Sequence, residues 1–271
     1  MKDIFGVKKP IIGMVHLLPT IGSPKFKNNI EDIISLAVND ALVLEKCGVH
    51  GLLIENAGDI PTQIMSDIDY GAITTLTVVA KTLRKKTQIP IGLSVLTNGV
   101  VQALAIAKAT GCKFIRSTSW VQGYYSAGGF VSPIAAKALR YKKFIDGDDI
   151  QIYADIKVKG GSHEIFRDKS FCVNSREAIN NGANKVIITG AATGLPPNFD
   201  EIKKYPDEII NNLLIGSGVN DKNLKDALMC SNGLIVGSYF RKESRLDLPV
   251  DKNKASYFME KYNKIRENFN D

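Results

Sequence analysis

Eight short runs of apolar, β-branched residues recur along this chain, at residues 11–17, 51–55, 89–96, 113–117, 151–157, 185–189, 213–217 and 233–237. Amphipathic stretches lie between them; in residues 30–47, Ile33, Ala37, Ala41 and Leu44 recur at helical spacing, and a second helix is read over 66–85. Strands that are apolar on both faces belong to parallel sheets covered by helices. Eight such units predict an α/β fold, a (β/α)8 TIM barrel. A doubly wound open sheet is the alternative, but it would want GxGxxG after the first strand, where the chain reads GMVHLLP. No Pro/Gly/Ser-rich linker, composition shift or low-complexity segment divides residues 1–271, so one barrel domain is expected over that length.

Hydrophobic residues make up 44% of the 271 and charged residues 23%, enough for a sizeable core and far from a disordered composition. The net charge of +7 suits anionic partners. Acids are interspersed among the bases, however, and the densest clusters, Arg84-Lys85-Lys86 and Lys142-Lys143, fall near helix ends where cations suit the dipole. A small phosphorylated ligand is therefore expected in preference to nucleic acid. Cys47, Cys112, Cys172 and Cys230 form no CxxC pair, so a reducing compartment is expected, with neither a zinc site nor a disulfide framework. The start MKDIFGVKK lacks the apolar core of a signal peptide, and no stretch approaches the ~20 apolar residues of a membrane span. The expected setting is cytoplasmic.

Barrels of this kind build their sites at the carboxyl ends of the strands. There the chain offers His16, then Glu55-Asn56 followed by Gly58-Asp59, then Thr97-Asn98, Arg116, and the trio Asp155, Lys157 and Lys159. Strand alternation puts that trio on one face and Ala154, Ile156 and Val158 on the other, which directs the charges inward. Asp155 and Lys157 form either a buried structural ion pair or a catalytic acid/base pair whose lysine transfers protons, contacts phosphate or forms an imine. Their position at the catalytic end favours the second. Glu55 closes the apolar run GLLIE, where a carboxylate needs a partner or a task. With Asp59 it is compatible with acid/base work or a divalent cation, although Asp59 reads equally as a stabiliser of the turn before Pro61. His16 is either packed beneath the rim or part of the acid/base cluster. Asn98 reads first as the N-cap of the third helix and second as a substrate ligand. Arg116 is an anion ligand or a partner of Glu55 or Asp155, and Asn56 and Lys159 complete the expected substrate-binding set.

The seventh and eighth runs end in Gly216-Ser217-Gly218 and Gly237-Ser238, with Gly190, Thr193 and Gly194 in the loop before them. Glycine there lets backbone amides approach a ligand, and a helix starting near Asn220 would aim its free N–H groups at the same place. Tight strand-to-helix turns would account for the same residues. Their repetition at two adjacent strand ends favours a phosphate site, as in many barrels.

The stretches GMVHLLPTIGSP (13–24), LLIENAGDIP (52–61), ADIKVKGG (154–161), ITGAATGLP (188–196), IGSGVNDKNL (215–224) and GLIVGSYF (233–240) resemble the BtpA family, which includes SgcQ-like proteins. The resemblance spans nearly the whole chain and implies a TIM barrel related to ribulose-phosphate-binding barrels. It implies less about activity: one member is associated with photosystem I biogenesis or stability, and others occur beside sugar-transport genes. The chain departs from the family at the rim. Leu18-Pro19-Thr20-Ile21 stands where the family reads closer to LPLPGSP, Leu96-Thr97-Asn98-Gly99 where it tends to LRND, and Gly160 where a histidine is common. Loss of an arginine, an acid and a histidine bears on substrate and on activity.

The function expected from these readings is that of an enzyme acting on a small phosphorylated sugar or nucleotide-derived compound, as a lyase, isomerase or glycosidic-bond cleaving enzyme. No cofactor is implied beyond a divalent cation, and a homo-oligomer is expected. The rival is a non-catalytic assembly or regulatory factor that keeps an anion-binding barrel mouth. Tyr124-Tyr125, in QGYYSAGGF, reads as a lid or a subunit contact.

Overall fold

Strand β1 (Ile11–His16) is buried along its whole length, and its alternate residues serve two different cores. Ile11 and Val15 pack against helices, while Ile12 and Met14 join Leu53, Phe114, Tyr153, Ile187, Leu214 and Ile235 in a cluster inside the barrel. The computed structural model describes residues 4–64, 66–68 and 70–267. After β1 come α1 (Ile30–Lys46), β2 (Gly51–Glu55), α2 (Tyr70–Lys86), β3 (Ile91–Ser94), α3 (Val100–Thr110) and β4 (Phe114–Ser117). A hairpin of β5 (Tyr124–Ser126) and β6 (Gly129–Val131) precedes α4 (Ala135–Phe144), β7 (Gln151–Lys157), α5 (Phe171–Asn180) and β8 (Lys185–Ile188). Two one-turn helices, α6 (Phe199–Ile202) and α7 (Asp207–Ile210), lead to β9 (Leu213–Ile215), α8 (Leu224–Met229), β10 (Leu234–Val236) and α9 (Lys252–Arg266).

The strands close into a parallel barrel in the order β1, β2, β3, β4, β7, β8, β9, β10, with β10 returning to β1. This is the expected TIM barrel. All eight apolar runs contain its strands, but the seventh and eighth stop at Ile215 and Val236. Gly216-Ser217-Gly218 and Gly237-Ser238 are thereby released into loops. The amino-terminal mouth is closed by Phe5, whose ring meets Phe114 edge-on at 5.6 Å. A Cβ at Gly51 would lie 2.4 Å from the Phe5 ring, so the plug depends on a missing side chain. Full burial of such a ring contributes roughly 1.5–3 kcal/mol, of which the partly buried Phe5 gains a share, and the plug leaves the carboxyl-terminal mouth as the open one.

Three local expectations change. The helix read over 66–85 starts at Tyr70, and Asp69 within that range lies outside the described residues. The helix expected near Asn220 starts at Leu224 and has six residues. Asn220 Oδ1 instead accepts from the N–H groups of Lys222 and Asn223, and Asn223 Nδ2 donates to the Gly218 carbonyl. Such side-chain turns compete with helix, and they remove the helix end from the phosphate reading. Asn98 caps nothing: Gly99 holds the N-cap position of α3, and Asn98 faces the other way.

Candidate active site

At the open mouth, His16, Glu55, Ser94 and Arg116 are register neighbours on β1, β2, β3 and β4. Arg116 Nε and Nη2 donate to the two oxygens of Asp155 on β7, at 2.8 and 3.0 Å. Its Nη1 lies 3.9 Å from Glu55 Oε2. Burial alone would lower the guanidinium pKa, but Asp155 and then Glu55 outweigh it and raise it, so Arg116 is a fixed cation between two buried carboxylates. Of the partners read for Arg116, Asp155 is the close one.

Lys157 does not pair with Asp155. A bulge shifts the register between Asp155 and Lys157 against β8, and the lysine turns out of the barrel. It is exposed and lines a separate cavity of about 490 Å³ with Gly190, Arg167 and Lys169, outside the wall. Strand alternation, assumed in reading the charged trio, fails at that bulge. Lys159 recovers the inward direction: it is half-buried and lines the mouth with His16, Glu55 and Arg116. Burial, then the nearby Arg116, lower its pKa from the usual lysine value, while Glu55 and Asp155 oppose them.

His16 is held from behind by two residues that the sequence did not single out. Arg241, fully buried, donates from Nε to His16 Nδ1 at 3.2 Å, and its Nη1 lies 2.8 Å from Asp40 Oδ2. Since Nδ1 accepts, the neutral ring carries its proton on Nε2. Burial, followed by the charge of Arg241, drives the His16 pKa well below the histidine range. The ring is a neutral donor, poorly suited to accept a proton. A Cβ at Gly237 would meet His16 Cε1 at 2.8 Å, so the glycine after β10 also makes room for the ring. One signal of this arrangement was readable: Asp40 falls on the buried stripe of α1 formed by Ile33, Ala37, Ala41 and Leu44.

Across the mouth, Thr193, Gly194, Gly216, Ser217, Gly218, Gly237 and Ser238 line the same cleft as the charged residues. Among the described residues, the amides of Ser217, Gly218, Gly237 and Ser238 donate to no protein acceptor. The Gly216 amide is taken by the Ile188 carbonyl. Gly190 also falls out of the expected set, since its N–H donates to Ser217 Oγ at 2.7 Å, while that hydroxyl reaches the Leu195 carbonyl. These two bonds fasten the 190–197 loop onto the turn after β9. Gly218, at φ +69°, permits that close approach, because a Cβ there would lie 2.0 Å from Pro196 N. The cleft, which Leu246 also lines, is narrow, about 30 Å³.

The remaining residues of the expected set are structural ties. Asp59 accepts from the N–H and Oγ1 of Thr20, each at 2.7 Å, and from Asn56 Nδ2 at 2.8 Å. Asn56 Oδ1 in turn accepts from Leu96 N. Asn56 and Asp59 thus bind three rim loops together, and Asp59 does not converge with Glu55 on a cation; among the described residues, no three His, Cys, Asp or Glu side chains gather as a metal site. Asn98 Oδ1 accepts from Ser117 Oγ and Ser119 N, and its Nδ2 donates to the carbonyls of Ser119 and Ser132. Its polar atoms are spent on the loop after β4. Two of the rim departures have local reasons. Gly99 would clash with Val95 and Ile68 if it carried a Cβ, and Gly160 sits at φ +74°.

A closed eight-stranded parallel barrel, charged at its carboxyl mouth and bearing free amides after its last two strands, places this chain among the TIM barrels. Solved structures with this fold include one titled "Native KDPGal structure" (TM-score 0.57, 13% identity, 96% of this chain and 98% of that one). Another is orotidine 5'-phosphate decarboxylase from Pyrococcus horikoshii OT3 (TM-score 0.55, 12% identity, 93% and 99%). At such identities the likeness shows the fold alone. The chain belongs to the BtpA family, whose profile matches residues 7–264. It is 30% identical to the "Photosystem I biogenesis protein BtpA" of Synechocystis, over 94% of this chain and 88% of that protein. It is 31% identical to an uncharacterized protein of Pyrococcus furiosus, over 98% and 99%.

Proposed function

We propose that this chain is an enzyme acting on a small phosphorylated sugar or nucleotide-derived compound. One observation carries the reading: four backbone amides without protein acceptors share a cleft with Lys159, His16, Glu55 and Arg116. The amides of Ser217, Gly218, Gly237 and Ser238 hold a phosphate dianion as peptide N–H groups do in anion-binding nests. Thr193 and Gly194 close the side of that nest. His16 donates a hydrogen bond from Nε2–H to an oxygen of the substrate, Glu55 takes up or returns a proton, and Arg116 with Asp155 fixes the field around them. Acid/base cleavage or isomerisation beside a carbonyl fits this set; Lys157 has no part in it. The names of the structural neighbours, phosphate-handling barrels among them, agree with the reading.

The name of the Synechocystis relative favours a second reading, a non-catalytic assembly factor whose mouth senses an anion. Thermal denaturation against a panel of sugar phosphates and nucleotides, followed by product analysis, separates the two. A ligand at 100 times its Kd raises stability by about 2.7 kcal/mol. Stabilisation with turnover supports the enzyme, stabilisation without turnover the sensor, and no stabilisation by any phosphate counts against both. The four free cysteines agree with a cytoplasmic setting, and no described helix is long and apolar enough to cross a membrane. The exposed rings of Tyr125 and Phe130 on the hairpin support self-association, which sedimentation would reveal.

A further inference from the structure

Among the described residues Lys159 makes no hydrogen bond and no ion pair, although it is half-buried and shares its cleft with Glu55. A lysine needed only for charge would be expected to sit against the carboxylates; here Arg116 takes both oxygens of Asp155 and stands 3.9 Å from Glu55, and Lys159 pairs with neither. Nor is a further cation required to hold a phosphate where four amides are free. What such a position does offer is an amine held away from its counter-charges and beside a neutral hydrogen-bond donor.

We propose that Lys159 Nζ is the nucleophile of the site and forms an imine with the aldehyde or ketone carbonyl of a small phosphate monoester. This rests on the phosphate reading given above. The lowered pKa of Lys159 supports it by enlarging the neutral fraction. The nitrogen lone pair adds to the carbonyl carbon, and the carbonyl π pair moves to oxygen, which accepts a hydrogen bond from His16 Nε2–H and takes its proton from solvent. The nitrogen then gives up a proton to Glu55. The carbinolamine C–O bond breaks, its oxygen leaves as water after a second protonation, and N=C forms as an iminium. The sum is amine plus carbonyl plus one proton giving iminium plus water, with no oxidant or reductant. Lys157, on the outer side of the wall, cannot reach this carbonyl.

The test is reductive trapping of the intact chain with glycolaldehyde phosphate and cyanoborohydride, read by peptide mass mapping. The expected result is a fast first equivalent on Lys159, slowed at least tenfold by inorganic phosphate, lost in Lys159→Arg and kept in Lys157→Ala. Fast label only on other lysines, or an unchanged fast phase in a folded Lys159→Arg, overturns the proposal. Stabilisation by inorganic phosphate is measured in parallel. If phosphate stabilises the chain but Lys159 is not trapped, the imine falls and the phosphate site stands. If Lys159 is trapped without protection by phosphate, the amine stands and the phosphate site falls.

Discussion

Arg241 Nε donates to His16 Nδ1 across 3.2 Å, and this contact between the loop after the last barrel strand and the end of the first decides what His16 can do. The expected consequence is a ring that stays neutral with its proton on Nε2. Ring nitrogen NMR of the wild-type chain at pH 6 should show one neutral tautomer, whereas a His16 that titrates near 6.5 would refute the assignment. Arg241→Lys keeps a cation beside Asp40 but loses the directed fork, and His16 should then lose its single tautomer. Arg241→Ala leaves the Asp40 carboxylate buried and unpaired, at a cost of about 3–5 kcal/mol in denaturant unfolding.

Arg116 is the second buried hub. Removing it in Arg116→Ala strands both Asp155 and Glu55 inside the barrel mouth, and a loss of about 3–5 kcal/mol is expected. Double replacement, Arg116→Met with Asp155→Leu, removes both members of the closest pair and should recover part of that loss. A double mutant as unstable as the single one would show that the pair matters for something other than mutual charge compensation.

The two lysines should behave oppositely. Lys157→Ala changes stability by no more than about 0.5 kcal/mol, as exposed substitutions do, and leaves phosphate-dependent stabilisation intact. Lys159→Ala removes turnover on any accepted substrate without unfolding the chain. Loss of activity in Lys157→Ala with full activity in Lys159→Ala would reverse the assignment.

This pair also marks the limit of what could be read from the sequence. The barrel was legible because each strand is apolar on both faces, and the positions of Glu55, Arg116 and the glycine turns followed from strand ends. The bulge after Asp155 carries no sequence mark such as a glycine or proline, so simple alternation misdirected Lys157. Likewise Asn56, Asp59 and Asn98 are rim residues by position, but their polar atoms go to loop ties that depend on distant backbone. Arg241 lies some 225 residues from His16, and that distance hid the contact, although Asp40 on the apolar stripe of α1 signalled that a buried cation was needed.

Acid should weaken the fold in a defined window. His50 Nδ1 accepts the Ile11 N–H at 3.0 Å, and burial, then Arg266, lower its pKa to about 4. Between about 6.5 and about 4 the unfolded chain binds the extra proton, so stability is full above that range and falls as pH falls through it. After discounting for partial exposure, His50 accounts for about 1–3 kcal/mol of the loss. His50→Gln should unfold with a shallower pH dependence over this window in urea titrations; an unchanged slope would show that His50 is not responsible.

The phosphate nest is tested most directly by a crystal of the wild-type chain soaked in ribose 5-phosphate, with Gly218→Ala treated alike. The expected result is phosphate density within hydrogen-bonding distance of the amides of Gly218 and Ser238, the sugar directed toward Lys159, and no such density in Gly218→Ala, where the 195–196 backbone must move. Phosphate bound elsewhere, with these amides turned to protein acceptors, would contradict it.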